Sequence, residues 1–143
     1  MTPSEIILTL NSANQLLLRG EATLLAQRFL YPMPVYLEGL LLPFRTPERM
    51  ANLMADYGEA ARAAGTQRIE TRLLRVENAC SQGCLALVRL DFLDARGMPL
   101  SHSEVRYAMR AGDLPGQARI ELAEYLHASF RNVALRYMGT GSA

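Results

Sequence analysis

Residues 29–39 read FLYPMPVYLEG, two prolines around one methionine with a tyrosine just outside each proline. The stretch is too apolar to be a linker. Pro32 biases Tyr31 out of helical geometry, so a helix arriving from the N-terminal side has to end at or before it. Pro34 does the same to Met33 and withholds a ladder donor, which suits a strand at a sheet edge. Residues 35–37 can then pair briefly before Gly39 turns the chain towards residues 40–44. The segment predicts a hinge between a helix and an edge hairpin.

Upstream, TPSE opens the chain: Thr2 can cap, Pro3 suits the first helical position and Glu5 can close a capping box. Ile6, Leu10, Ala13 and Leu17 recur at helical spacing until Gly20 interrupts. Residues 21–30 read as a shorter second helix with Leu24, Leu25 and Phe29 inward. Downstream, TPERM repeats the start signal at Thr46 and Pro47. Met50, Leu53, Met54, Tyr57, Ala61 and Ala64 form the stripe of a third helix, which Gly65 stops.

Beyond Gly65 the period changes from 3.6 to 2. Residues 68–77, 84–94, 100–110 and 118–128 read as four strands joined by short turns, which favour antiparallel neighbours. Alternation puts Ala86, Val88, Leu90 and Phe92 on one face, with Val105, Tyr107 and Met109. In the last strand it places Ile120, Leu122, Glu124 and Leu126 on that inner face, opposite Arg119, Glu121, Ala123 and Tyr125. The outer face then carries Glu70, Arg72, Arg89, Asp91, Glu104, Arg106, Arg119 and Glu121, a mixed-sign ladder fit for cross-strand pairs. Helices first and a meander of strands afterwards make an α+β domain, with the three N-terminal helices packed on one face of a mainly antiparallel sheet.

The 143 residues fit a single domain with one core, expected to be ordered over about 4–130 with a flexible C-terminal tail. Half of the chain is apolar, a fifth is charged, and all 15 residues counted as Lys or Arg are arginine. A net charge of +1 offers no field for nucleic acid. The N-terminus lacks a cationic leader region, and no apolar run approaches the roughly 18 residues of a membrane span, so the expected setting is the cytoplasm, without a membrane partner. Cys80 and Cys84 lie far in sequence from His102 and His127, at no zinc-site spacing, so no metal and no cofactor is expected.

The order of two helices, FLYPMPVYLEG, a third helix begun by TPERM and four long strands resembles the nuclear-transport-factor-two-like superfamily, also called SnoaL-like or ketosteroid-isomerase-like. The resemblance covers residues 4–130. It implies a cystatin-like α+β cone, the helices on the concave face of a curved sheet and an apolar cavity at the open end, in a family of binding proteins, isomerases, dehydratases, cyclases and epoxide hydrolases. It also implies a homodimer through the outer sheet face, here Arg72, Arg89, Asp91, Glu104, Arg106 and Glu121. The first helix offers Asn11, Asn14 and Gln15 where ketosteroid isomerases carry a tyrosine. Fold alone assigns no chemistry.

On the face assigned to the core, Glu124 stands between Leu122 and Leu126, where a carboxylate is costly unless paired or protonated. It is the candidate acid or base, with Tyr107 as hydroxyl partner. Alternatively, a bulge turns Glu124 to water, or Arg28 or Tyr57 satisfies it. Tyr31, Met33, Tyr36, Met54, Tyr57, Ser103 and Met109 are the candidate ligand contacts, the methionines as adaptable lining. His102 and Glu104 share the polar side, away from the cavity. Three functions fit these residues: an apolar small-molecule binder, an enzyme using Glu124, or a dimeric interaction module.

Overall fold

A computed structural model describes residues 1–114 and 116–138. Thr2 caps α1 (Pro3–Leu18) reciprocally: Glu5 N–H donates to Thr2 Oγ1 at 3.2 Å, and Thr2 N–H to Glu5 Oε2 at 3.1 Å. The helix that begins at TPERM, here α3 (Pro47–Ala63), starts with Arg49 N–H donating to Thr46 Oγ1 at 3.3 Å. Both helices stop at glycines with positive φ, Gly20 at 75° and Gly65 at 97°. The helix between them, α2 (Ala22–Ala26), is shorter than its sequence predicts. Two backbone bonds to Ile120, from Ile120 N–H to Arg28 O at 2.9 Å and from Leu30 N–H to Ile120 O at 2.8 Å, draw residues 28–30 out of the helix. Leu24, expected inward, is exposed.

Six strands follow in the order β2-β1-β6-β5-β4-β3 across one sheet: β1 (Met33–Leu37), β2 (Leu40–Phe44), β3 (Arg68–Cys80), β4 (Gly83–Leu93), β5 (Pro99–Arg110) and β6 (Arg119–His127). Helices α1–α3 supply the apolar residues Ile6, Leu10, Leu25, Met50, Leu53 and Ala61 that close the core over its inner face. The architecture is therefore α+β, with a mostly antiparallel sheet. β1 lies between β2 and β6 rather than at the edge, because residues 35–37 pair in parallel with residues 123–125. Pro34 is tolerated there because the ladder to β6 begins one residue beyond it, and on its other side it faces Pro43.

Single-residue bulges bend the sheet, and three of them set the faces of β3 and β6. These three fall at Leu74 in β3 and at Glu121 and Leu126 in β6, where each strand carries one residue more than its partner. A bulge adds local twist and reverses the faces of all residues beyond it. In β6 the first bulge sends Leu122 and Glu124 outward and brings Ala123 and Tyr125 inward. The second restores the earlier phase, so His127 faces out, its ring centroid 4.7 Å from that of His102.

Chain order continues past the expected limit at 130, into α4 (Arg131–Leu135). The tail expected to be flexible lies, from residue 139, outside the described residues. Among the described residues no helix is long and apolar enough to cross a membrane. Cys80 and Cys84 are free thiols, one exposed and one buried.

Helices α1 and α3 touch closely at Gly58. A Cβ there would lie 2.5 Å from the carbonyl oxygen of Leu17, and the neighbouring Arg62 guanidinium donates to Leu18 O at 3.1 Å, capping the end of α1. Gly58→Ala is expected to push the helices apart and lower stability by about 1–3 kcal/mol. Urea denaturation measures this, and an unchanged midpoint would mean that the two helices are not held at this distance.

Candidate functional site

The inner face of the sheet and the three N-terminal helices enclose an apolar cavity of about 80 Å³. Met33 and Val35 of β1, Leu53 and Met54 of α3, and Leu90 and Phe92 of β4 form much of its wall. These side chains are there for elementary reasons: the alternation of β1 and β4 and the helical spacing of α3 all turn them to one side. Three tyrosines supply most of the wall's polarity. They are Tyr57 from α3, Tyr107 from β5 and Tyr125 from β6. Asn14 adds one amide, which is already engaged: its Nδ2 donates to Thr71 Oγ1 at 2.9 Å.

The chain's own end closes the cavity. Ala128 and Ala134 contribute wall from either side of Phe130. Phe130, at a left-handed φ of 56°, sets its ring edge-on between Tyr57 and Phe92, at centroid distances of 5.7 and 5.5 Å. Ser129 is bound on three sides: its N–H donates to Ser103 Oγ at 2.9 Å, its hydroxyl to Ser101 Oγ at 2.9 Å, and its carbonyl accepts the Tyr57 hydroxyl at 2.7 Å. Further along, the Tyr137 hydroxyl donates to Asp56 Oδ2 at 2.6 Å, and Arg131 pairs with Glu38 at 3.3 Å. These contacts make residues 128–137 a strap across the cone.

Of the residues singled out in the sequence, Met33, Met54, Tyr57 and Tyr107 stand together at the cavity wall. The structure moves the others elsewhere. Glu124 does not face the cavity: the bulge at Glu121 turns it to the outer face, where its Oε1 lies 2.6 Å from Arg106 Nη1 and its side chain is 38% exposed. Tyr36 shares that outer face, directly beside Glu124 in the β1–β6 register. Tyr31 spends its hydroxyl on the end of α2, donating to Ala26 O at 2.6 Å. Ser103 is fully buried but serves the strap, and Met109 is core away from the cavity wall.

Tyr125 was placed outward by strict alternation and is a wall residue instead. The signal was present in the sequence: a carboxylate at 124 on the apolar side is itself a mark of slipped register, and the slip turns its neighbour Tyr125 inward. Burial raises the hydroxyl pKa of Tyr57, Tyr107 and Tyr125, so all three are neutral hydrogen-bonding groups at ordinary pH. Among the described residues no Asp, Glu, His, Cys or Arg lines the wall. Among the described residues no three His, Cys, Asp or Glu side chains converge to hold a metal ion.

No family model and no curated protein matches the sequence. Solved structures do match the fold. A domain of unknown function with a cystatin-like fold from Nostoc punctiforme aligns at a TM-score of 0.64, over 100% of this chain and 90% of that one, with 20% identity. An NTF2-like protein with a cystatin-like fold from Novosphingobium aromaticivorans aligns at 0.60, over 94% and 87%, with 15% identity. An NTF-2-like protein of unknown function from Shewanella oneidensis aligns at 0.61, over 87% and 98%, with 11% identity. At these identities the likeness is one of fold. The chain has the cystatin-like, nuclear-transport-factor-two-like fold.

The tyrosine environments set a pH window. Folding raises the pKa of Tyr31, Tyr57, Tyr107 and Tyr125 by burial, and that of Tyr137 to about 12 by burial and its bond to Asp56. A raised folded pKa contributes stability that is complete below the unfolded value of 10.0 and is lost as pH climbs through the folded one. Stability is therefore expected to fall from pH 10 upward. In an ultraviolet absorbance titration the wall tyrosines Tyr57, Tyr107 and Tyr125 should ionise only as the chain unfolds; reversible ionisation of all three near pH 10 in folded protein would contradict the buried wall.

Proposed function

We propose that the cone binds one small, uncharged, largely apolar molecule, and that the protein is a binding protein rather than an acid–base enzyme. The observation that carries this reading is the apolar cavity of about 80 Å³, with no charged side chain on its wall among the described residues. Protein interiors are packed to near-crystalline density, and an empty cavity of this volume costs on the order of 2 kcal/mol. That is a large fraction of the roughly 5–15 kcal/mol by which a domain is stable, so an occupant has something to repay. A charged ligand would be buried with no counter-ion, which selects against acids and amines. The methionines Met33, Met50 and Met54 let the wall adapt to the outline of a guest. Glu124 on the opposite face supplies no acid or base to this space.

Native mass spectrometry of protein purified from its own host is the direct test, with a co-purifying neutral molecule expected. The companion variant is Ala134→Leu, which inserts three carbons from the strap into the cavity. It should retain a cooperative unfolding transition and lose the bound molecule. A wild-type spectrum at the bare chain mass, together with no uptake of xenon by the cavity, would overturn the reading.

The outer sheet face is the proposed self-association surface. A half-buried apolar row, Leu85, Ala108 and Leu122, crosses three strands there, flanked by the Arg89–Asp91 pair at 2.8 Å and the Arg106–Glu124 pair at 2.6 Å. An apolar centre within a rim of charge is the usual anatomy of a protein interface. Arg72, Glu104 and Glu121 complete that rim. Arg106→Glu puts two carboxylates side by side next to the row and should weaken a dimer at least tenfold, on the order of 1.4 kcal/mol. Sedimentation velocity reads this, and an unchanged dimer would move the interface elsewhere.

A further inference from the structure

We propose that Tyr107 and Tyr125 form the polar subsite of the cavity and read one oxygen atom of the guest, so that the ligand class is a small neutral ketone or alcohol. This rests on the binding reading above and narrows it. The two tyrosines sit diagonally on neighbouring strands of the inner face, Tyr107 opposite Ala123 and Tyr125 opposite Val105. The small side chain of Ala123 leaves room beside the Tyr107 ring.

The Tyr57 hydroxyl proton and the Asn14 amide nitrogen are already committed. The Tyr57 hydroxyl donates to Ser129 O, and the Asn14 amide donates to Thr71 and, at 3.5 Å, to Ile69 O. The Tyr107 and Tyr125 rings, by contrast, both reach the cavity wall from neighbouring strands, and among the described residues neither hydroxyl makes a hydrogen bond to a third group. Each hydroxyl has one proton and two acceptor positions. Even with one donating to the other, one proton remains for a partner inside the cavity.

The partner's chemistry follows from the surroundings. It must accept a hydrogen bond, since a proton is what is left over. It must be neutral, because no Arg or His at the wall can balance a carboxylate. The rest of the molecule must be hydrocarbon, to match walls of Met, Leu, Phe and Val. The cavity volume of about 80 Å³ corresponds to roughly three waters at liquid density, which limits a guest in the closed state to a handful of heavy atoms.

The test uses three probes of equal heavy-atom count that differ only in this chemistry: 2-butanone, 2-methyl-1-butene and propanoate. Their binding to the full chain is read by NMR from the methyl groups of Met33, Met50 and Met54. In wild type both neutral probes should shift these methyls and propanoate should not. In Tyr107→Phe/Tyr125→Phe the ketone should lose about fivefold or more in affinity, the worth of one hydrogen bond, while the alkene holds or gains. The single variants, each checked for cooperative unfolding, keep the comparison valid if the double variant is unstable. If both neutral probes bind but the ketone-to-alkene ratio is the same in wild type and variants, the subsite is overturned and the hydroxyls hold at most a water. Propanoate binding more tightly than 2-butanone overturns it as well. If no probe moves the methionine methyls, the binding reading itself has failed.

Discussion

Between Ile120 and Leu122, strand β6 carries one residue more than β5 opposite it, and the polarity of the whole interior depends on that insertion. Without it, Glu124 would project among Met33, Met54 and Tyr107, and Arg106 would lose the carboxylate 2.6 Å away. With it, the charge pair forms on the outer face, and Ala123 and Tyr125 face inward. The second insertion, at Leu126, then returns the strand to its first phase, so that Ala128 points back to the cavity and His127 away from it. Two bulges within one strand thus exchange a carboxylate for a phenol at the cavity wall. Desolvating a carboxylate costs far more than desolvating a hydroxyl, so the register without the first bulge is strongly disfavoured.

The same strand ties the helical layer to the sheet. Ile120 accepts and donates backbone bonds with the chain leaving α2, and residues 123–125 hold β1 in parallel. The end of β6 leads directly into the strap, whose Ser129 is fixed by Ser101, Ser103 and Tyr57. Tyr57 therefore has two roles in one side chain: its ring packs on Phe92 and Phe130 as wall, and its hydroxyl fastens the closure. Because the strap presents only alanines to the cavity, it closes the cone without filling it. Larger residues at 128 or 134 would have completed an ordinary core.

Much of the fold was legible from local chemistry. The threonine–proline starts at Thr2 and Thr46, the glycine stops at Gly20 and Gly65, and the change of period after Gly65 all operate over a few residues, and each recurs in the structure. Four of the residues nominated for the site, Met33, Met54, Tyr57 and Tyr107, are wall residues because their elements kept a regular period. Tyr36, Tyr31 and Glu124 were misplaced for a different reason. Each is positioned by a partner distant in sequence: β6 for Tyr36, the end of α2 for the Tyr31 hydroxyl, and the register against β5 for Glu124.

The sequence by itself determined the element order, the helix limits at Thr2, Gly20, Thr46 and Gly65, and an α+β domain whose sheet has one apolar face. Those features rest on backbone geometry and bonds closed within four residues of the chain. Only the tertiary structure decided that β1 is an inner strand, that β6 bulges twice, and that the chain end closes the cavity. Glu124 on the apolar side signals that the register slips, but nothing in Glu121 or Leu126 marks where the bulges fall. The extra residue appears because two strands of unequal residue count must align their apolar faces on one core, and that competition exists only once both strands are in place.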